Sequence, residues 1–210
     1  MWNYSLRGRS VEIPSLIQPK TCRNFSTSRY NPGMLTAAIA LFALVSTQVR
    51  IPDVPFLATP DDVVDRMLDM AKVGPGDVVY DLGCGDGRIV IAAARKFGAR
   101  GVGVDINPVR IAEANENARK AGVENLVTFR VQDVMETDVS EATVVALYML
   151  AEINVKLRPR LTIQLRPGAR IVSHTFGIGD WEPEQVVTFK DKMGTMRTLY
   201  RWTADGKIRP

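Results

Sequence analysis

A chain of 210 residues, 46% of them apolar, can bury one good core and leaves little for a second, so one domain with an extension is expected. The net charge of +4 resides in the first 33 residues, where Arg7, Arg9, Lys20, Arg23 and Arg29 face only Glu12; the balanced remainder argues against a nucleic-acid surface on the folded part. Two cysteines, Cys22 and Cys84, and a single histidine, His174, with no Cys-x-x-Cys pair, argue against a structural zinc and fit a reducing compartment.

Met1–Tyr30 is rich in arginine and serine and nearly free of acids, the composition of a mitochondrial presequence. Arg23-Asn24-Phe25-Ser26 resembles a matrix-processing site, although a disordered tail or an early start has the same composition. After Pro32-Gly33, residues 34–49 (MLTAAIALFALVSTQV) form an uncharged apolar run between Arg29 and Arg50. It falls short of the roughly 20 residues that span a bilayer. We read it as a short membrane anchor, with an export signal beginning at Met34 or a buried helix as alternatives. The expected organisation is a basic extension over 1–33, an anchor over 34–50 and a folded domain over 51–210. The location expected is a mitochondrial or a prokaryotic inner membrane, and the basic residues upstream leave the topology open.

Ile51-Pro52-Asp53-Val54-Pro55 reads as an extended linker, because each proline disfavours helix in its predecessor. Thr59-Pro60-Asp61-Asp62 has the form of an N-cap, with proline at the first helical position and acids at the positive helix end. The helix continues through Val63, Val64, Met67, Leu68 and Ala71, and Gly74-Pro75-Gly76 ends it. An alternation follows: an apolar run Val78–Tyr80, a helix Arg88–Phe97, a run Val102–Val104, a helix Pro108–Ala121, a run Val127–Val131, a run Thr143–Leu147, a helix near Ile153–Leu165 and a run Arg170–Ser173. Short, continuous apolar strands separated by helices predict a parallel sheet covered on both faces. Gln185–Phe189 and Thr198–Trp202, joined through Gly194, predict an antiparallel hairpin at one edge. The fold class is therefore α/β, Rossmann-like and doubly wound, with a mostly parallel sheet and an antiparallel C-terminal edge hairpin.

The strongest motif is Val78-Val79-Tyr80-Asp81-Leu82-Gly83-Cys84-Gly85-Asp86-Gly87-Arg88, a strand entering a glycine loop and then a helix. Gly83 and Gly85 allow a sharp turn and close approach of a ligand to the backbone. The spacing G-x-G-x-G is neither the G-x-G-x-x-G of the dinucleotide fingerprint nor a P-loop, which weighs against a nicotinamide-dependent oxidoreductase. Asp81 and Asp86 would repel a pyrophosphate but suit a ligand carrying an ammonium and a sulfonium. Asp105 ends the next strand about twenty residues on, where a carboxylate can accept both hydroxyls of a ribose. It could instead cap the helix at Pro108, but Asn107 already fills that position. Gln132-Asp133-Val134 ends the third strand and offers an acceptor for an adenine amino group, or an ordinary strand-end turn.

Together these features resemble the class I S-adenosylmethionine-dependent methyltransferases. By that resemblance Asp81, Gly83 and Gly85 line the methionine end of S-adenosylmethionine, Asp105 the ribose and Asp133 the adenine. More narrowly, Val54-Pro55-Phe56 with Thr59-Pro60, Tyr80-Asp81-Leu82-Gly83, Gly85-Asp86-Gly87-Arg88-Ile89-Val90, Thr143-Val144-Val145 with Leu147-Tyr148, Leu157-x-Pro159 and Val172-Ser173-His174 resemble one family. It is that of the membrane-tethered protein-lysine methyltransferases of the ATP synthase c-subunit and the adenine nucleotide translocase, with their prokaryotic relatives. Cys84, where serine is more usual, and Leu57-Ala58, where valine-proline is more usual, depart from the pattern.

Methyl transfer needs alignment and exclusion of water rather than a dedicated nucleophile or a metal. The resemblance implies a lysine of a membrane protein as acceptor; a small molecule or membrane lipid, and a non-catalytic cofactor-binding protein, are the competing expectations. No nucleic-acid partner is expected. Candidates beside the reacting groups, after the fourth and fifth strands, are Tyr148, Glu152, Asn154 and His174. Each has a structural alternative: Tyr148 as a core ring, Glu152 and Asn154 as helix caps, His174 as a satisfied strand end. Trp181 either covers the site or closes the edge of the core.

Overall fold

The computed structural model describes residues 57–210. The basic extension and the apolar run read as an anchor lie outside them, and no described helix is long and apolar enough to cross a membrane.

The described chain runs α1 (Asp61–Met70), β1 (Val78–Leu82), α2 (Arg88–Phe97), β2 (Arg100–Asp105), α3 (Pro108–Ala121), β3 (Val127–Val131), a 3-10 turn (Val134–Glu136), β4 (Val144–Leu147), α4 (Ala151–Gln164), β5 (Arg170–His174), β6 (Gln185–Lys190) and β7 (Met196–Thr203). The seven strands form one sheet in the order β3-β2-β1-β4-β5-β7-β6. The first five are parallel, and β7 and β6 close the sheet as an antiparallel hairpin. The chain winds outward from β1 through β3, then returns to add β4 on the other side. That reversal opens a crevice beyond the carboxyl ends of β1 and β4, where such sheets bind ligands.

The order follows from what each element must hide. All residues of β1 and β4 are buried, as strands covered on both faces require. On one face Val79, Val144 and Val172 pack against Val63, Met67 and Leu68 of α1 and Ile89, Val90 and Ala93 of α2. On the other, Val145, Leu147 and Ile171 meet Leu157 and Leu161 of α4, with Trp202 of β7. Each such large side chain contributes about 1.5–3 kcal/mol by leaving water. Edge strand β6 alternates exposed and half-buried residues and carries polar Thr188 and Lys190 outward, which suits an edge.

One sequence expectation changes. Pro60, not Thr59, occupies the cap position of α1, and no side chain caps that end. The Thr59 hydroxyl is drawn to a partner far along the chain, described below.

Candidate functional site

β1 delivers its carboxyl end into a loop in which Gly83, Gly85 and Gly87 all take left-handed φ (83°, 51° and 80°). Side chains disfavour that region, which explains the recurrence of glycine. The Gly83 and Cys84 N–H groups both donate to the Val104 carbonyl at 2.9 Å, stitching the loop to β2. Close packing beneath it depends on Gly103 of β2, where an added Cβ would lie 2.6 Å from the Phe129 ring and 2.9 Å from Cys84 Sγ.

Asp105 fixes the loop from the neighbouring strand. Its Oδ2 accepts from Gly85 N–H at 3.0 Å and its Oδ1 from Asn107 N–H at 2.9 Å. Asn107 is the cap of α3, accepting from Val109 N–H, so Asp105 has no capping duty. Each oxygen retains a lone pair for a further donor. Asp133, half-buried at the end of β3, accepts from Met135 N–H at 2.9 Å and caps the 3-10 turn. Asp86 is held by a forked pair of bonds from Arg88, whose remaining nitrogen donates to the Thr59 carbonyl at 2.8 Å.

The electrostatics are one-sided. Asp81 is 3% exposed, and its carboxylate accepts no hydrogen bond from any described residue. Burial first, then the negative charges of Asp105 and Asp86, push it up to about 8. The same burial, with Asp81 and Asp105 nearby, pushes the Cys84 thiol up. Arg88 is committed to Asp86, so a buried carboxylate on a glycine floor lacks a cation. Above that floor sits Met149, half-buried in the loop after β4; a Cβ at Gly83 would lie 2.6 Å from its Sδ. Gly83 therefore packs directly beneath Met149, and a side chain at that position would have to displace the thioether. A ligand bearing ammonium, sulfonium and ribose groups fits these residues, whereas a pyrophosphate would meet three carboxylates.

Across the reversal point, register sets Leu82 beside Leu147 and Leu147 beside Ser173, so Tyr148 and His174 follow as neighbours. Their ring centroids are 4.1 Å apart. His174 is fully buried; its Nδ1 lies 3.5 Å from the Thr59 hydroxyl, and its Nε2 has no partner among the described residues. Burial, aided by the Arg197 charge and opposed by Asp191, lowers it to about 4, so the ring is neutral at pH 7. Asn154 is also fully buried, and its amide donates to the Phe176 and Gly177 carbonyls at 3.4 and 3.2 Å. It braces the loop after β5 instead of capping α4. Glu152 is exposed in the first turn of α4, and its carboxylate makes no bond with a described residue. Trp181 closes the core edge: its carbonyl accepts from the Trp202 indole at 2.8 Å, and Arg209 lies over its ring.

The structure thus brings Asp81, Gly83, Gly85 and Asp105 into one cradle, sets Asp133 at the adjacent strand end, and gathers Tyr148 and His174 on the other side. Two contributors were not read from the sequence as site residues. Thr59 reaches both the glycine loop and His174, and its only signal was its place in the Thr59-Pro60 motif. Met149 had none beyond following Tyr148.

Comparison with known proteins bears on this geometry. The ANTKMT methyltransferase domain profile matches residues 81–185. A protein-lysine N-methyltransferase of Saccharolobus islandicus is 48% identical over 67% of this chain and 88% of its own. The lysine N-methyltransferase of the ATP synthase c-subunit from Homo sapiens is 29% identical over 84% of this chain and 75% of its own. Among solved structures, an RNA methyltransferase of Salinibacter ruber in complex with S-adenosyl-L-homocysteine is 54% identical, with a TM-score of 0.68 over 73% of this chain and 97% of that one. The chain belongs to the ANTKMT methyltransferase family of S-adenosylmethionine-dependent protein-lysine methyltransferases.

Proposed function

We propose that the enzyme methylates the amine of a lysine in a membrane protein while attached to a mitochondrial or prokaryotic inner membrane through residues 34–49. The observation that carries the lysine reading is the aromatic pair of Tyr148 and buried His174, which follow β4 and end β5 across the reversal point from the strand that bears Asp81. The membrane part is supported by the apolar run and by relatives named for the ATP synthase c-subunit and for the adenine nucleotide translocase.

Bound S-adenosylmethionine supplies an electrophilic methyl on a sulfonium. Asp81, with the backbone of Gly83 and Gly85, holds the methionine end, Asp105 accepts from the ribose hydroxyls, and Asp133 accepts from the adenine amino group. The acceptor lysine must arrive as a free amine, since an ammonium has no lone pair. The Tyr148 wall disfavours the charged form by desolvation. The proton leaves to water past Glu152, whose exposed carboxylate can orient the incoming ammonium, while His174 is fully buried and has no route to solvent. His174 keeps the Tyr148 ring in place, and Asn154 acts through the loop after β5.

The test is incubation of the enzyme with methyl-labelled S-adenosylmethionine and host membranes, followed by separate counting of protein, lipid and RNA. Label in protein, recovered as methyl-lysine after hydrolysis, is the expected result. Label in lipid alone, or in RNA alone, sinks the reading.

A further inference from the structure

Only two described residues other than glycine take positive φ. Lys72 (φ 51°) lies just past the end of α1, where helices commonly adopt the left-handed region. Thr175 (φ 70°) is different, because a β-branched side chain there is a true outlier. It follows β5 directly, and Phe176 N–H donates to the His174 carbonyl at 2.8 Å, closing a three-residue γ-turn of the rarer, strained form.

The turn is held from several sides. Thr175 N–H donates to the Thr198 carbonyl of β7 at 2.8 Å. The Ser173 hydroxyl donates to the Phe176 carbonyl at 2.6 Å, and Asn154 braces the same carbonyl and that of Gly177. Ser173 and Asn154 are both fully buried, so core groups are spent on fixing one surface turn. Glycine would relieve the strain at this position. The side chain that occupies it instead is exposed, and its hydroxyl bonds to no described residue.

Its position gives this a use. Along the carboxyl edge of the sheet Asp133 follows β3, Asp105 ends β2 and Asp81 lies on β1, and beyond them Tyr148 follows β4 and His174 ends β5. Thr175 is next to His174, on the acceptor side and away from the ribose end. Strain maintained by dedicated supports concentrates at functional positions.

We infer that Thr175 is a specificity-determining residue of the acceptor entrance, its hydroxyl bonding the backbone of the lysine-bearing segment and setting how the lysine enters beside Tyr148. This rests on the protein-lysine reading above.

The experiment compares wild type, Thr175→Gly and Thr175→Ser in the full chain. The acceptor is purified ATP synthase c-subunit in detergent or, if wild type does not label it, whichever membrane fraction wild type labels. Thr175→Gly is expected to melt about 2–4 °C higher through relief of strain. Its KM for acceptor rises about five-fold through loss of one hydrogen bond, with kcat and the Kd for S-adenosylmethionine within about two-fold. Thr175→Ser keeps the hydroxyl and is expected to hold KM within about two-fold of wild type. An unchanged KM in Thr175→Gly overturns the inference, as does a fall in its melting temperature or a matching loss of cofactor affinity. Labelling by wild type of lipid or RNA instead of protein removes the lysine reading, and the variant-to-wild-type KM ratio still decides the role of Thr175.

Discussion

Asp77 and Asp81 stand at opposite ends of β1, both shielded from water, and the protein treats them in opposite ways. Asp77 accepts from the Thr143 hydroxyl at 2.6 Å and Gly74 N–H at 2.8 Å, and pairs with Arg170 at 2.7 Å. Burial works against its charge, but those partners outweigh it and hold the carboxyl below its usual range. Asp81 has no such partner and is pushed up to about 8. The first acid supports the amino edge of the sheet; the second weakens the cofactor-free protein and makes sense only with a cation beside it. The amino and carboxyl edges of one sheet thus divide stability from function, and burial by itself does not say which is which.

The sharpest way to break this comparison is to neutralise each acid in turn. Asp81→Asn is expected to weaken S-adenosylmethionine binding about 100-fold, by loss of a charged contact, while raising the Tm of the cofactor-free protein at pH 8 by about 3–8 °C. Asp77→Asn is expected to do the reverse, lowering Tm by about 4–8 °C with cofactor affinity within about two-fold. Calorimetry and thermal melts on the two variants decide it, and equal melting shifts would erase the distinction.

A second effect follows from the raised Asp81. At pH 7 a carboxyl titrating near 8 is mostly protonated, and a bound cation drives the proton off. Binding of S-adenosylmethionine at pH 7 should therefore release up to about one proton, read as a binding enthalpy that differs between phosphate and Tris buffers. Asp77→Asn keeps that difference and Asp81→Asn loses it. Identical enthalpies for wild type in both buffers would mean that Asp81 is already ionised.

The smallest effect lies in the acid limb of stability. Asp81 has its folded pKa above its unfolded value, so cofactor-free stability increases as pH falls from about 8 towards 3.8. His174 has its folded pKa below the unfolded 6.5, so the stability it contributes is present above 6.5 and lost as pH falls towards about 4. The two oppose each other between 6.5 and 4. His174→Gln should remove only the second effect, making Tm in that window climb on acidification by about 2–4 °C more than wild type. Parallel curves for the two proteins would show that His174 is not held neutral by the fold.

Much of this architecture was legible in the residues. Continuous apolar runs of strand length gave the parallel core, and Gly194 between two runs gave the edge hairpin. Strand ends shifted outward, to Arg100 in β2 and to Met196 and Thr203 in β7, because backbone pairing runs past the apolar stretch, Met196 opposite Lys190 and Thr203 opposite Arg170. The cofactor side was readable because it is local: Asp81, Gly83 and Gly85 lie within five residues, and Asp105 ends the next strand. The acceptor side was not, because its determinants are tertiary. Thr59 has the appearance of a cap, yet its hydroxyl is claimed by His174, 115 residues away. Asn154 follows a helix start and turns inward to a loop more than twenty residues on. Nothing in the identity of Thr175 announces a left-handed backbone.

Cys84 adds a practical consequence. Its thiol is shut inside the glycine loop, with its ionisation suppressed first by burial and then by the neighbouring acids, so alkylating reagents cannot react with it while the loop is closed. Each modification event therefore records one opening of the loop. With Cys22 replaced, the protein carries its own clock for how often the cofactor cradle comes apart, and for how far a ligand slows it.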